Sequence, residues 1–170
     1  MIEGSTVVRA CYPGSFDPLT IAHVAIAEAV REQCRVERVT LVLSERTLGK
    51  ESGQRTAEER AEVLRKTRGE RTWLEVEVTA AQLLVDIAST YEWLVLGADK
   101  WNQIREPHWY GSVIERDTAL ARLPRLAIVE RHGHELDGLP DSAVQLVLPD
   151  PSLKHVSSSA VRSGAEHWRA

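Results

Sequence analysis

A turn-rich loop followed by a helix start contains residues that could bind and polarise a phosphate group. The loop is Pro13-Gly14-Ser15-Phe16-Asp17-Pro18, and a helical pattern begins near Thr20. We expect Gly14 to let the backbone approach a phosphate closely and to supply amide donors. A helix N-terminus adds partial positive charge and free N–H groups. The ring of His23, about one turn into the helix, can donate a hydrogen bond to a phosphate where charge develops.

A second group of polar residues near the other end of the chain suits the same chemistry. The run Val156-Ser157-Ser158-Ser159 opens a predicted helix, and Arg162 follows about one turn later. Serine hydroxyls and amides at a helix start can bind phosphate oxygens. The guanidinium of Arg162 offers a fork of donors that fits the same oxygens. Taken alone, the run is also typical of a simple helix cap followed by a surface arginine.

Strand and helix patterns alternate along the whole chain. The apolar runs predict strands over 6–12, 36–43, 73–78, 93–96, 126–129 and 144–148. The helical spacing predicts helices over 20–33, 56–67, 79–91 and 110–123, and a last helix from Ser157 onward, with capping boxes at Thr56 and Thr79. This alternation is typical of an α/β fold with a doubly wound parallel sheet, and we expect one domain over 1–170. Ligands of such sheets bind beyond the carboxyl ends of the strands, so the loops after strands one, two and four matter most.

The overall charge and the absence of long apolar runs exclude several classes of partner. The formal net charge is −4, so the chain has no general attraction to nucleic acid or to an anionic membrane. No run approaches the ~20 apolar residues that a membrane span needs. The N-terminal sequence lacks the basic start and long apolar stretch of a signal peptide. We therefore expect a cytoplasmic protein with no nucleic-acid or membrane partner.

Neither the cysteines nor the histidines show the spacing of a metal site. Cys11 and Cys34 form no disulfide framework, and we expect two reduced thiols. The fragment His132-Gly133-His134-Glu135 has no third ligand at useful spacing, so we interpret it as a polar loop. We predict that no protein side chains form a dedicated metal site.

The two phosphate-binding patterns together resemble the signatures of the nucleotidylyltransferase superfamily. Members of this superfamily carry G-[ST]-F-[DN]-P after the first strand, [HT]-x-G-H at the next helix start, and I-S-[ST]-[ST]-x-[IV]-R near the end. Thr20 stands at the first position of the second signature, as in phosphopantetheine adenylyltransferases. Ala22 stands where the signature has glycine, and its methyl group could crowd a bound nucleotide.

The resemblance implies a Rossmann-like fold and a set of site residues. It assigns the transfer step to His23, Thr20, Lys50 and Arg162, with Lys50 on the loop after strand two and Arg46 as its rival. It implies nucleotide contacts from residues on both signature segments and on the loop after strand four, namely Gly14, Ser15, Phe16, His23, Gly97, Asp99, Val156, Ser157, Ser158, Ser159 and Arg162. It implies acceptor contacts from Ser15, Lys50, Trp101 and Trp109. Surface exposure of Lys50 and core packing of either tryptophan are the alternatives.

The resemblance also implies the reaction. Superfamily members join a nucleoside monophosphate from a nucleoside triphosphate to a small phosphate-bearing acceptor and release pyrophosphate. The triplet Gly97-Ala98-Asp99 resembles the G-[AT]-D of nicotinamide and nicotinate mononucleotide adenylyltransferases, so adenylyl transfer to one of those acceptors is the leading hypothesis. A phosphopantetheine adenylyltransferase, a CTP-dependent cytidylyltransferase and a nucleotide-binding protein without turnover are the alternatives. We expect Mg²⁺ to arrive with the triphosphate, and the sequence leaves room for a homo-oligomer.

Overall fold

The computed structural model describes residues 6–46 and 55–170, and its centre is a parallel β-sheet. Its six strands are β1 Arg9–Pro13, β2 Arg38–Ser44, β3 Leu74–Thr79, β4 Trp93–Gly97, β5 Arg125–Val129 and β6 Val144–Leu146. Within the described ranges they lie in the order β3-β2-β1-β4-β5-β6, and every neighbouring pair is parallel. The expected α/β fold with a parallel sheet is therefore confirmed.

Helices connect the strands and cover both faces of the sheet. They are α1 Ile21–Gln33, α2 Ala57–Thr67, α3 Leu84–Ile87, α4 Ala98–Ile104, α5 Val113–Ala121 and α6 Ser158–Arg162. One core cluster joins α1 and α2 to alternate strand residues such as Leu41, and the opposite cluster joins α3 and α4 to residues such as Val42. Because neighbouring strand residues point to opposite faces, this division shows that the sheet is doubly wound.

Two helices begin with a capping box, which the sequence predicted at Thr56 but not at Thr20. Thr20 and Thr56 accept hydrogen bonds from the backbone N–H three residues later, and the residue at that position bonds back to the cap. Such reciprocal bonds satisfy two of the N–H groups that have no partner inside a helix. The predicted starts of α1 and α2 are thus confirmed.

The helix predicted over 79–91 is much shorter than expected, and its predicted cap is wrong. Thr79 is the last residue of β3, and its carbonyl accepts from the Glu45 N–H at 2.9 Å. Its hydroxyl accepts from the Ala81 N–H at 3.2 Å, which closes a turn and not a helix start. The sheet ladder therefore holds Thr79 in an extended conformation, and α3 forms only over Leu84–Ile87.

The helical regions after β4 and near the end of the sequence also differ from expectation. The helix predicted over 110–123 is α5, which begins after the cap Ser112. The apolar pattern did not predict α4, which starts directly after β4. The last predicted helix divides into α6 and a 3₁₀ turn over Glu166–Trp168, because Gly164 has a φ of 120° that a helix cannot contain. No helix in the described ranges is long and apolar enough to cross a membrane.

The strand order reverses at β1, which has β2 on one side and β4 on the other. The connections that follow β1 and β4 therefore leave the sheet in opposite directions and open a crevice beyond the carboxyl ends of these strands. The signature loop after β1 and the loop after β4 both lie at this crevice.

Replacement of Leu41 by Ala should lower the free energy of unfolding by about 2–5 kcal/mol, because Leu41 is only 1% exposed in the centre of β2. Val63→Ala is the matched control, since Val63 is 45% exposed on α2 and should change stability by about 0.5 kcal/mol or less. Urea unfolding followed by circular dichroism measures both values. Equal losses for the two variants would contradict the assigned core.

Candidate functional site

Thr20 and His23 form a reciprocal pair at the start of α1. The Thr20 N–H donates to His23 Nδ1 at 3.0 Å, and the Thr20 hydroxyl accepts from the His23 N–H at 3.4 Å. Since a peptide N–H can only donate, Nδ1 carries no proton, and the proton of the neutral ring is on Nε2. Every hydrogen bond that the ring makes to residues 6–46 and 55–170 involves Nδ1. Nε2 is therefore left to donate to a ligand.

The surroundings of His23 keep its ring neutral. Burial lowers the pKa of His23 from 6.5 to about 3, and the positive charge of Arg131 acts in the same direction. At neutral pH the ring is a fixed N–H donor and not a cation. Such a donor can stabilise a negative phosphate oxygen.

The ring of Phe16 packs against the ring of His23. The φ of Phe16, 46°, is in the left-handed region, which is unusual for a bulky residue, and its side chain is only 3% exposed. Its ring centroid lies 5.0 Å from that of His23 and 5.3 Å from that of Tyr12, in both cases edge to face. The side chain thus belongs to the core, while a contact between the Phe16 backbone and a nucleotide stays a prediction.

Gly14 is required by this packing. A Cβ atom at Gly14 would lie 2.8 Å from the Cζ atom of Phe16, which real contacts do not permit. The Gly14 N–H donates to the carbonyl of Val42 at 3.1 Å, so Gly14 extends the sheet ladder. A contact between the Gly14 backbone and a phosphate stays a prediction. Ser15, next to Gly14, lines the adjoining cleft.

The structure brings the two signature segments into direct contact. Ser158 Oγ donates to the carbonyl of Pro18 at 2.8 Å, across a separation of 140 residues. The Arg162 guanidinium donates to the carbonyl of Asp17 and, at 3.1 Å, to Ser159 Oγ. The serines and the arginine therefore hold the signature loop, a positioning role that the sequence does not reveal.

The other residues of the final motif complete its local structure. Ser157 caps α6 by accepting from the Ala160 N–H at 3.1 Å. Val156 is buried and packs with Ala22 and Leu153. The methyl group of Ala22 is thus covered by protein and is only 1% exposed, so the expectation that it crowds a nucleotide is wrong.

A charged pair lies at the ends of β4 and β5. Asp99 Oδ1 is 4.0 Å from Arg131 Nε, and a Cβ atom at Gly97 would lie 3.0 Å from Arg131 Cγ. The positive charge of Arg131 also acts on Tyr12, whose pKa burial raises. The sequence motifs do not include Arg131, although its position just after a predicted strand marks the carboxyl edge of the sheet.

A largely apolar cleft of about 130 Å³ opens beside the signature loop. Trp109 and Tyr110 line one part of it. Arg46, the predicted rival of Lys50, lines another part, together with three side chains that the motifs did not indicate, namely Lys100, Gln82 and Gln103. The remaining wall consists of the loop after β1 and aliphatic side chains, which include Leu84 and Ile104. A flat ring with polar substituents fits such a surface.

The two tryptophans proposed to stack on an acceptor have different environments. Trp109 lines the cleft and stays a candidate. Trp101 is only 4% exposed in the core, and its indole N–H donates to the carbonyl of Asp137 at 3.0 Å. The expectation that Trp101 stacks on a ligand is therefore wrong, because α4 turns this face of the helix towards the core. Lys50 lies outside the described residues.

The crevice offers one carboxylate to a metal ion that arrives already bound to phosphate oxygens and water. In the described part of the chain, no group of three His, Cys, Asp or Glu side chains could hold a metal ion. Mg²⁺ commonly keeps water and phosphate oxygens as ligands and needs only one or two carboxylates from the protein. Asp99, half-exposed at the crevice, is such a carboxylate. The role of magnesium remains a prediction.

Three comparisons with known proteins place this geometry in context. A family model described as cytidylyltransferase-like matches residues 11–164. Nicotinic acid mononucleotide adenylyltransferase of Plasmodium falciparum, solved in complex with APC, has a similar structure, with a TM-score of 0.68 and 16% identity over 93% of this chain and 83% of that one. The same enzyme in complex with NaAD gives a TM-score of 0.66 and 17% identity over 92% and 83%. No curated protein sequence matches significantly.

The neutral state of His23 predicts a pH effect on stability. The pKa is about 6.5 in an unfolded chain and about 3 in the folded protein. The unfolded state binds the proton more readily, so this contribution is complete above pH 6.5 and is lost as the pH falls towards 3.

When the pH falls from 7 to 4.5, the free energy of unfolding of the parent should therefore decrease by about 1–2 kcal/mol more than that of His23→Gln. This value is smaller than the pKa difference alone would give, because the ring is partly exposed to solvent. Urea titrations of both proteins at the two pH values measure the difference. Parallel losses would show that the His23 ring takes up a proton as easily in the folded state as in the unfolded state.

Proposed function

Since the chain belongs to the cytidylyltransferase-like family, we propose that it transfers AMP from ATP to the phosphate of nicotinate or nicotinamide mononucleotide and releases pyrophosphate. The observation that carries the proposal is the fixed, neutral His23 ring at the crevice between β1 and β4. Beside it lies a cleft lined by Trp109. A donor for a reacting phosphate and a surface for a flat ring thus stand side by side.

In the proposed step, a phosphate oxygen of the acceptor attacks the α-phosphorus of ATP in line. A new P–O bond forms while the bond to the β-phosphate oxygen breaks, and pyrophosphate leaves with that electron pair. His23 Nε2–H would donate to an α-phosphate oxygen as negative charge increases there. No covalent enzyme intermediate is needed, so catalysis depends on position and charge stabilisation.

Cationic side chains near the crevice are the proposed partners of the phosphates. Arg162 lies at the signature loop, and Arg131 influences the His23 ring by its charge. Arg46 lines the cleft and can share the role proposed for Lys50. Mg²⁺ bound to the triphosphate would supply further charge neutralisation, with Asp99 as the candidate protein ligand.

The acceptor is proposed to bind in the cleft with its ring against Trp109. An indole face packs well on a flat heteroaromatic ring. Both solved structures with a similar fold are complexes of a nicotinic acid mononucleotide adenylyltransferase, one of them with NaAD. This likeness supports a pyridine nucleotide as the acceptor.

A CTP-dependent cytidylyltransferase is the second candidate, because the matching family model is described as cytidylyltransferase-like. The two candidates differ in the base of the triphosphate, ATP or CTP, and measured pyrophosphate release distinguishes them.

A pyrophosphate-release screen tests the proposal most directly. It crosses ATP, CTP, GTP and UTP with nicotinate mononucleotide, nicotinamide mononucleotide, phosphopantetheine and phosphocholine. We expect release with ATP and a pyridine mononucleotide. Release only with CTP would establish the second candidate, while binding of ATP or CTP without release across the panel would favour a nucleotide-binding protein.

His23→Ala should lower kcat at least tenfold with the fold retained, because the α-phosphate loses its fixed donor. Steady-state rates with the best substrate pair, together with circular dichroism, provide the test. His132→Ala is a suitable control, since His132 is an exposed histidine whose ring packs against His155. A near-normal rate for His23→Ala would remove His23 from the mechanism.

Trp109→Ala should raise the KM for the acceptor about tenfold and change the KM for the triphosphate by less than about twofold, because only the acceptor ring would lose its stacking surface. Trp73→Ala serves as the control, because Trp73 packs beside Arg31 against the core cluster of the opposite sheet face. Equal effects of Trp109→Ala on both substrates would argue against the proposed acceptor position.

A further inference from the structure

Residues 166–170, here called the closing segment, lie across the start of α1. The Ala170 N–H donates to the carbonyl of Leu19 at 3.0 Å. Arg169 and Thr20 pair as an isolated antiparallel bridge. The closing segment thus contacts the residue that caps α1 and the residue before it.

An aromatic side chain anchors the closing segment. Trp168 is partly buried and packs against the small cluster formed by Ala22, Leu153 and Val156. Ala22 is the immediate neighbour of His23 on α1. The indole of Trp168 therefore fixes the closing segment to the same helical turn that presents the His23 ring.

Contacts from α6 extend this attachment along the signature loop. The carbonyls of Asp17 and Pro18 accept from Arg162 and Ser158, and the next carbonyl, that of Leu19, accepts from the closing segment. Three consecutive carbonyls before Thr20 are thus held by groups from the far end of the sequence. The backbone that carries the Thr20 N–H is fixed from outside the helix.

We propose that the closing segment, anchored by Trp168, is a positioning element for His23. It holds Leu19 and Thr20 so that the Thr20 N–H stays directed at Nδ1, which keeps the ring proton on Nε2. The catalytic consequence rests on the proposed function, because it assumes that Nε2–H contacts the transferred phosphate. The orientation and tautomer of the ring can be measured without any substrate.

Nitrogen-15 NMR of the histidine rings in the 170-residue chain tests the positioning. His23→Gln identifies the His23 signals. In the parent, Nδ1 should have the chemical shift of an unprotonated acceptor and Nε2 that of an N–H. In Trp168→Ala both signals should move towards the average of the two tautomers, and Trp168→Phe, which keeps an aromatic ring, should restore them.

Ala170→Pro provides a second route that leaves the Trp168 contact in place. Proline removes the N–H that bonds to Leu19. Arg169 already has φ −67° and ψ 133°, a conformation that the residue before a proline prefers. This variant should therefore shift the His23 signals in the same direction without unfolding the protein, even if Trp168→Ala fails to fold.

Kinetics separate positioning from general stability. With an active substrate pair, Trp168→Ala should lower kcat about fivefold or more, with the KM for the triphosphate changed by less than about twofold, and Trp168→Phe should recover most of the loss. Val63→Ala, an exposed substitution on α2, should behave like the parent.

Unchanged His23 signals in Ala170→Pro, and in Trp168→Ala where it folds, would overturn the proposal. A parent protein that turns over no substrate would reject the proposed function alone, since the NMR result still decides whether the closing segment orients the ring.

Discussion

The reciprocal hydrogen bonds between Thr20 and His23 are the interaction on which the rest of the site depends. One residue pair begins α1 and also sets the tautomer of the ring. Helix capping and donor placement therefore have the same physical origin, the N–H groups that the first turn of a helix leaves without partners. A substitution that disturbs the cap must also disturb the ring.

The pair can act in this way because its surroundings are rigid. Phe16 supports the ring from one side in a conformation that only dense packing maintains. Groups from α6 and from residues 166–170 hold the backbone before Thr20 from the other side. Burial and the nearby charge of Arg131 then make the neutral form of the ring the stable one. Shape and electrostatics thus favour the same state.

Local patterns predicted much of the fold and part of the site. The cap at Thr56 was predictable because it depends on two residues three positions apart, whereas the cap at Thr20 uses His23 in place of the usual Glu or Gln. The similar pattern at Thr79 failed, because a strand ladder from distant residues holds Thr79 extended. The motifs predicted that His23 and Arg162 belong to one site. They did not predict the contact between Arg162 and the carbonyl of Asp17. The nucleotide contacts and the role of Lys50 remain predictions.

The amino-acid sequence by itself determined the six strands and their order along the chain, the start of α1 and the two signature segments. These features depend on side-chain periodicity and on hydrogen bonds within a few residues, which neighbours along the chain encode. Only the tertiary structure decided that Trp101 is buried while Trp109 lines the cleft, and that Ala22 packs under Val156. Only the fold brings the charge of Arg131 near the His23 ring and residues 166–170 into contact with the start of α1. Such contacts join residues far apart in the chain, so they exist only once the sheet has assembled.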